Sequence, residues 1–199
     1  NLQELEPMTP TIQDAFTDEI VAESESPAST KPTYKVGMLS GCVQDIAFSD
    51  VNRDTVDVLL ANNCEVTTPR NQGCCGSLHS HNGEIELAKD LARKAIDSFD
   101  LDKLDAIISN AGGCGSHLRH YGRLLSDDPQ YAKRAHQWDS KVKDIHEWLM
   151  SNDLRELGPL ATPAEITYHP SCHLYHGQKV MKQPSQLLAS IPNVTLKVL

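Results

Sequence analysis

The sequence has no long apolar run, no excess of basic residues, and no basic and apolar start of the kind that opens a secretory signal. No stretch approaches the roughly 20 apolar residues that span a membrane. The 18 Lys and Arg are outnumbered by 27 Asp and Glu, and the net charge of −9 argues against a general nucleic-acid binder. With 39% apolar and 23% charged residues, the 199 residues suit a globular protein with one sizeable core, or one domain plus part of another.

The acidic charge is concentrated near the start of the chain. Residues 1–32 contain seven acidic residues and one Lys, together with four prolines. We expect residues 1–33 to be an acidic linker or tail, with a weak helix near 11–22. Because the chain lacks an initial Met and stops within the apolar segment 194–199, we also expect it to be a piece of a longer protein.

Two of the six cysteines, Cys74 and Cys75, are adjacent and lie between Gly73 and Gly76. Neighbouring Cα atoms are about 3.8 Å apart, which is shorter than the roughly 4.4–6.8 Å of a relaxed disulfide. Six cysteines in a secreted protein would suggest three disulfides. The adjacent pair and the unsuitable start for a secretory signal instead favour reduced thiols in the cytosol.

Apolar patterns predict strands that alternate with helices. The predicted strands cover 34–40, 64–68, 105–110 and 165–169, and a last strand starts near 194. The predicted helices cover about 48–62 and 83–99, and further helices begin near 118, 129, 139 and after 172. This order predicts an α/β fold with an open, mainly parallel, Rossmann-like sheet and helices on both faces.

Cysteines follow four of the predicted strands, so we place them on the loops after the strands. Loops after the carboxyl ends of parallel strands meet at one edge of the sheet, where ligands bind. Cys64 instead starts a strand, and we expect it to be a small buried apolar residue at the opposite edge. The cysteines expected at the ligand edge are Cys42, Cys74, Cys75, Cys114 and Cys172.

Thiolates that converge from several loops bind an iron–sulfur cluster or zinc. Thirty-one residues separate Cys42 from Cys74, and 38 separate Cys75 from Cys114. Glycines beside these cysteines allow the backbone to approach and to donate N–H groups to sulfur. We therefore take Cys42, Cys74, Cys75 and Cys114 as the candidate ligands, with both kinds of metal group open.

A different chemistry is possible at Cys114. Gly-Gly-Cys-Gly-Ser between a strand and a helix resembles a nucleophile elbow, and His117 and His120 are nearby in sequence. A nucleophilic Cys would also need a positioned base and an acidic partner. A separate cluster, His169, Cys172, His173 and His176, has zinc-like ligand types at irregular spacing, which is more typical of exposed or capping histidines.

Several motifs together resemble the cysteine-rich CCG domain family. The resemblance is carried by Cys42, by Cys74-Cys75-Gly76, by Gly113-Cys114-Gly115 and by the stretch 168–178, and it covers residues 34–199. More closely, the sequence is similar to the iron–sulfur subunits of glycolate oxidase (glycolate dehydrogenase). Relatives of that group include the heterodisulfide reductase B subunit and the iron–sulfur proteins of lactate utilisation.

The resemblance implies a first cysteine-rich domain at 34–160 and a truncated second one at 161–199, which Cys172 would open. It implies a 4Fe-4S type cluster that passes electrons toward a quinone or another membrane acceptor. The electrons would come from a flavin-binding dehydrogenase subunit that holds FAD and oxidises a 2-hydroxy acid such as glycolate. A cytoplasmic location follows, including peripheral attachment to the inner face of the cell membrane. Two alternatives remain open: a zinc-stabilised interaction domain without a redox role, and a thiol enzyme that uses Cys114.

The sequence departs from one branch of the family at His117. The heterodisulfide reductase branch has a further cysteine at this position, and that cysteine adds a fifth sulfur to its cluster. With His117 here, four sulfurs remain, and His117 and Cys172 are the weaker candidate ligands.

Overall fold

The computed structural model describes residues 6–28 and 31–197. Expectations for residues 1–5, 29–30 and 198–199, which belong to the predicted tail and to the end of the last predicted strand, lie outside the described residues. The strands are β1 (Ser24–Glu25), β2 (Tyr34–Met38), β3 (Cys64–Thr67), β4 (Ala106–Ser109), β5 (Val142–Asp144), β6 (Ala164–Thr167) and β7 (Val194–Lys197).

The α-helices connect these strands, with a short 3-10 helix at Glu6–Met8 and a π-helix at His173–Gly177. The α-helices are α1 (Thr17–Ile20), α2 (Val43–Ala61), α3 (Ser77–His81), α4 (Ile85–Asp97), α5 (Gly112–Leu118), α6 (Tyr121–Leu124), α7 (Ala132–Lys141), α8 (Ile145–Ser151) and α9 (Gln183–Ala189).

The main sheet has five strands in the order β1-β3-β2-β4-β5. All neighbours are parallel except β1, which pairs antiparallel with β3. Strands β6 and β7 form a separate, parallel, two-stranded sheet. The predicted open, mainly parallel α/β sheet is confirmed, because strand–helix–strand units place successive strands side by side in the same direction.

Apolar side chains alternate between the two faces of the main sheet, which is why both faces are covered by helices. Val36, Met38 and Ile108 face a cluster that includes Val56 and Leu59 of α2. Ile107, from the same strand as Ile108, faces the opposite cluster, whose large members are Phe99, Tyr121 and Trp138. This alternation follows from the two-residue period of a strand.

The predicted helix starting near Asp139 is wrong in part. Helix α7 ends at Lys141, strand β5 follows, and α8 begins at Ile145. Val142, Ile145 and Leu149 are spaced as on one helix face, which is why the sequence predicted a helix here. The three residues of β5 are too few to show the two-residue period of a strand. Pairing with β4 makes Val142–Asp144 a strand. The Asp144 carboxylate then caps α8 by accepting from the His146 N–H at 2.9 Å.

Three further boundaries differ from the sequence prediction. Helix α7 begins at Ala132 rather than near 129. Helix α2 begins directly after Cys42 rather than near 48, with a break in helical geometry at Phe48. Helix α5 begins at Gly112, so Cys114 lies in its first turn instead of on an open loop. The cysteines still follow the strands directly, with Cys42 four residues beyond β2 and Cys114 five beyond β4.

The acidic segment contributes to the packed unit over residues 17–25. Val21 and Thr17 are buried, β1 pairs with β3, and Thr17 N–H donates to the Asp45 carboxylate of α2 at 2.7 Å. The Arg53 side chain of α2 binds Glu25 at 2.7 Å. Part of the segment expected to be a linker or tail is therefore attached along one edge of the sheet.

Candidate metal centre

The sheet order brings three cysteine-bearing segments together. Strand β2 lies between β3 and β4, and all three run in parallel, so the segments after them meet at one edge. The segment with Cys42 is the central one, with Cys74 and Cys75 on one side and Cys114 on the other. Cys64 starts β3 at the opposite edge and is fully buried, as expected.

The four sulfurs lie as two contacting pairs. The Cys42 Sγ lies 3.5 Å from the Cys74 Sγ and donates to it. The Cys75 thiol lies beside the sulfur of Cys114 and donates to it, and Cys75 also interacts with the Cys74 thiol, which connects the two pairs. Within residues 6–28 and 31–197, no three His, Cys, Asp or Glu side chains lie close enough together to hold a single metal ion.

The pairing determines which thiol of the second pair ionises first. The hydrogen bond from Cys75 lowers the pKa of Cys114, since it stabilises the thiolate. The same bond, together with burial, raises the pKa of Cys75 far above its usual range. Burial, reinforced by the hydrogen bond to Cys74, raises the pKa of Cys42. Of this pair, Cys114 is therefore the thiol that loses its proton more readily.

One backbone N–H and one side-chain hydroxyl hold the Cys74–Cys75 turn in place. The Gly76 N–H donates to the Cys74 Sγ at 3.4 Å, and the buried Tyr121 hydroxyl donates to the Cys75 carbonyl oxygen at 2.7 Å. Burial raises the pKa of Tyr121, so the hydroxyl keeps the proton that it donates. Tyr121 in turn stacks on Trp138, with ring centroids 5.5 Å apart. The apolar core thereby supports one wall of the cysteine site.

His117 lies three residues beyond Cys114, and its Nε2 atom is buried without a hydrogen-bond partner. Its ring contacts Tyr121 edge-on at 5.6 Å between centroids. Burial, assisted by the nearby His81 and His120, lowers the pKa of His117 to about 4. The imidazole is therefore neutral at pH 7, which is the form that binds a metal.

Cys172 is exposed and lies outside both sulfur pairs. It follows β6 in the second sheet, and its neighbour Ser171 packs against Gly112 at the start of α5. His173, the next residue, contacts His81 of α3 with ring centroids 6.2 Å apart. The structure thus brings the histidine-rich turn against the helices of the cysteine site, a contact that sequence spacing did not indicate.

The donor set fits a group containing several metal ions. The site has four thiols from three segments, which is the number of sulfurs that a four-iron cluster takes. Three of them, Cys42, Cys74 and Cys114, are partly exposed. A cavity of about 20 Å³ lies behind Cys75 and Cys114, which is room for a single water molecule. A much larger cavity, about 700 Å³, lies beside Asn62 and Asn63 at the other edge of the sheet and has no cysteine in its lining.

None of the helices in the described part of the chain is both long enough and apolar enough to cross a membrane.

The chain is similar to several iron–sulfur proteins. It is 39% identical over 164 residues to the probable glycolate oxidase iron-sulfur subunit of Bacillus subtilis, covering 82% of this chain and 37% of the relative. It is 36% identical over 160 residues to an uncharacterized iron-sulfur protein of Methanocaldococcus jannaschii, covering 80% of this chain and 30% of the relative. It is 30% identical over 163 residues to lactate utilization protein A of Exiguobacterium, covering 81% and 66%. The chain therefore spans only part of the length of these relatives.

The model of the cysteine-rich domain family, CCG, matches two stretches of the sequence, residues 36–119 and 166–199. The first stretch contains Cys42, Cys74, Cys75 and Cys114, and the second contains Cys172. Together the stretches cover more than half of the chain, and the chain belongs to the CCG cysteine-rich domain family.

Proposed function

We propose that this chain is part of the iron–sulfur subunit of a flavin-dependent 2-hydroxy-acid dehydrogenase, with glycolate as the substrate of the complex. The observation that carries the proposal is the meeting of Cys42, Cys74, Cys75 and Cys114 at one edge of the sheet. The names of relatives support it, since they include an iron-sulfur subunit of glycolate oxidase and lactate utilization proteins. Electrons would pass from a flavin subunit through this chain toward a quinone.

The four cysteines would hold a 4Fe-4S type cluster, which accepts and releases one electron at a time. The protein's contribution is to bind the cluster and to set its surroundings. The Gly76 N–H stabilises negative charge on the Cys74 sulfur, and the lowered pKa of Cys114 favours its binding as a thiolate. His117 and Cys172 remain the weaker candidate ligands. Oxidation of the substrate would belong to the partner subunit, on its FAD.

The domain organisation belongs to the same proposal. Residues 34–160 would form the first cysteine-rich domain, and residues 161–199 the start of a second. The separate β6–β7 sheet and the second stretch matched by the family model support this division. We place the chain in the cytoplasm, with peripheral attachment to the inner face of the cell membrane as the route to a quinone.

A thiol enzyme is the second candidate, and the lowered pKa of Cys114 favours it. A nucleophilic cysteine also needs a base within hydrogen-bond reach. In the part of the chain that the structure describes, the hydrogen-bond partner of the Cys114 sulfur is another thiol, Cys75, rather than an imidazole or a carboxylate. The arrangement of the second pair therefore suits metal binding better than catalysis by Cys114.

Purification without oxygen tests the proposal. The protein should be brown and contain iron and acid-labile sulfide, and dithionite should change its visible and paramagnetic-resonance spectra. A colourless protein with about one zinc ion per chain would overturn it in favour of a zinc-stabilised interaction domain. Rapid alkylation of Cys114 alone, with loss of a measurable hydrolytic or transfer activity, would instead support the thiol enzyme.

A further inference from the structure

Three amide side chains connect the three cysteine-bearing segments across the edge of the sheet. They are Gln72, Asn52 and Asn110, referred to below as the amide network. They follow the order of the strands: Gln72 lies on the segment after β3, Asn52 contacts the segment after β2, and Asn110 lies on the segment after β4.

Gln72 joins the Cys74 segment to the Cys42 segment. Its Nε2 donates to the Met38 carbonyl oxygen at 2.9 Å, and its Oε1 accepts from the Ser40 N–H at 3.2 Å. Gln72 precedes Cys74 by two residues, and Ser40 precedes Cys42 by two. The side chain therefore binds the end of β2 as a neighbouring strand would, at a point just before each cysteine of the first pair.

Asn52 joins the Cys42 segment to the Cys114 segment. It is fully buried on α2, and its Nδ2 donates to the Ser40 carbonyl oxygen at 2.9 Å and to Thr17 Oγ1 at 2.8 Å. Its Oδ1 accepts from Asn110 Nδ2 at 2.9 Å, and Asn110 precedes Cys114 by four residues. The N–H and the C=O of Ser40 are thus held from opposite sides by Gln72 and Asn52.

The use of amides has a physical reason. An amide group both donates and accepts, whereas a carboxylate only accepts. An amide also carries no charge, so the buried Asn52 adds no negative charge between segments that bear thiols. A buried network in which every group has a partner gives the backbone around it one defined arrangement.

We propose that Gln72, Asn52 and Asn110 are positioning residues that set the separation of the three cysteine-bearing segments, and hence the ability of the four sulfurs to bind one metal group together. This inference rests on the proposed function only for the identity of the metal group, which would be an iron–sulfur cluster. The network itself is independent of which thiol-binding metal enters the site.

The test uses Co²⁺ alone as the probe, added without oxygen to the reduced, metal-free chain. Thiolate-to-cobalt charge-transfer absorption reports how many thiolates of the chain bind Co²⁺ at saturation, and competition with a chelator gives the affinity. Gln72→Ala and Asn52→Ala should each weaken Co²⁺ binding about 10-fold or more, the usual order for partners that orient ligands. They should also lower the charge-transfer intensity at saturation, because fewer sulfurs reach the ion.

Ser49→Ala is the matched control. Ser49 is buried on the same helix as Asn52, and its hydroxyl donates to the Ala15 carbonyl oxygen at 2.6 Å, so this hydrogen bond goes to the acidic segment rather than to a cysteine-bearing segment. It should lower the thermal midpoint of unfolding without changing Co²⁺ affinity. Gln72 is only half-buried, so Gln72→Ala tests the proposal even if Asn52→Ala does not fold.

The outcomes separate the network from the cofactor. Loss of Co²⁺ affinity in the two network variants, with Ser49→Ala unchanged, supports the proposal. Equal losses of Co²⁺ affinity in all three variants would show that the network contributes only to general stability, and would overturn the proposal. Unchanged affinity in Gln72→Ala would also overturn it, as would wild-type protein that shows no thiolate–cobalt absorption. If wild-type protein binds Co²⁺ through its thiols but carries no iron when purified without oxygen, the proposed function fails and the network remains.

Discussion

The surroundings of each thiol separate Cys64 from the cysteines of the candidate site. Cys64 is fully buried at the start of β3, with its thiol directed to the Asn62 carbonyl oxygen, and burial raises its pKa. Cys74 and Cys75 each contact a sulfur from another segment. A buried isolated thiol behaves as a small apolar group, whereas paired thiols at a sheet edge can share a metal.

Serine substitution should distinguish these two kinds of cysteine. We expect Cys74→Ser and Cys75→Ser each to remove most of the iron bound per folded chain, because a hydroxyl is a poor ligand for iron beside sulfide. Cys64→Ser should retain wild-type iron while losing about 1–3 kcal/mol of stability, because it buries a hydroxyl that must find a partner. Iron and sulfide analysis after removal of unfolded protein measures the difference. Equal losses of iron at all three positions would contradict the assignment of Cys64 to the opposite edge.

The pKa of His117 predicts a pH dependence of stability. Burial lowers this pKa from 6.5 to about 4, so between these values the unfolded chain binds the proton more tightly than the folded chain. The contribution of His117 to stability is therefore complete above about pH 6.5 and is lost as the pH falls toward 4. Urea unfolding of the metal-free chain at intervals from pH 7 to pH 4 should show a decreasing midpoint.

Substitution identifies the residue responsible for that slope. His117→Gln removes the titrating group, so the midpoint should depend less steeply on pH than in the wild-type chain. His176→Gln, at an exposed histidine, should retain the wild-type slope. A slope that is the same in all three proteins would show that other groups cause the acid sensitivity.

Among the secondary-structure elements, α3 depends on the glycine at its start. Gly76 has φ of +82° and lies at the N-cap of α3, directly after Cys75. An added Cβ would lie 3.3 Å from the Ala88 carbonyl oxygen of α4. The left-handed backbone disfavours every residue with a side chain, so the turn that carries Cys74 and Cys75 requires glycine at position 76.

Gly76→Ala should lower the free energy of unfolding by about 1–2 kcal/mol, the cost of placing an alanine in left-handed geometry. Gly73→Ala is the control from the same motif, because an added Cβ there has open space within 4 Å. Its effect should stay within about 0.5 kcal/mol. Denaturant titration of both variants compares them, and a larger loss for Gly73→Ala would contradict the assigned turn.

Strand β5 shows why the boundaries of short elements were not predictable. Its three residues, Val142–Asp144, follow a helix and precede another, and their apolar spacing matches a helix as well as a strand. The deciding interaction is the pairing of Ile107, Ile108 and Ser109 with β5, which is distant in sequence. The longer strands β2 and β4 were predicted to within two residues because a run of buried apolar side chains is itself distinctive.

At the scale of the whole molecule, residues 17–25 of the acidic segment pack against the main sheet and help to stabilise it. Val21 is 3% exposed and belongs to the same apolar cluster as Val36 and Val66. Thr17 reaches Asn52 and thereby the amide network. Net negative charge and several prolines are typical of a linker. Over residues 17–25, however, the buried Val21 and the two-residue strand β1 attach the segment to the folded chain.

Deletion of residues 1–25 should therefore destabilise the protein by at least about 2 kcal/mol, the order expected for exposing one buried Val together with its surroundings. Deletion of residues 1–8 is the control, because Pro7 and Met8 are exposed. Urea unfolding of the two truncated chains and the wild-type chain gives the comparison. If both truncations unfold at the wild-type midpoint, the segment is a linker after all.

The second sheet contacts the first unit through the π-helix. An added Cβ at Gly115 would lie 2.5 Å from Gln178 Nε2, and one at Gly177 would collide with Ser116 Oγ. Gln178 also donates to the Gly112 carbonyl oxygen at 3.0 Å. These close approaches place the Cys172 turn beside the helix that bears Cys114, and the glycines on both sides make the contact possible.

The amino-acid sequence was sufficient to predict the α/β class, the main strands, and the segments on which the four candidate cysteines lie, because strand–helix alternation and adjacent cysteines are local signals. The pairing of Cys42 with Cys74 and of Cys75 with Cys114, strand β5, and the attachment of the acidic segment required the folded chain. The amide network likewise exists only because the order β3-β2-β4 brings Gln72, Asn52 and Asn110 together. Each of these features depends on contacts between residues far apart in sequence, whose partners no local pattern identifies.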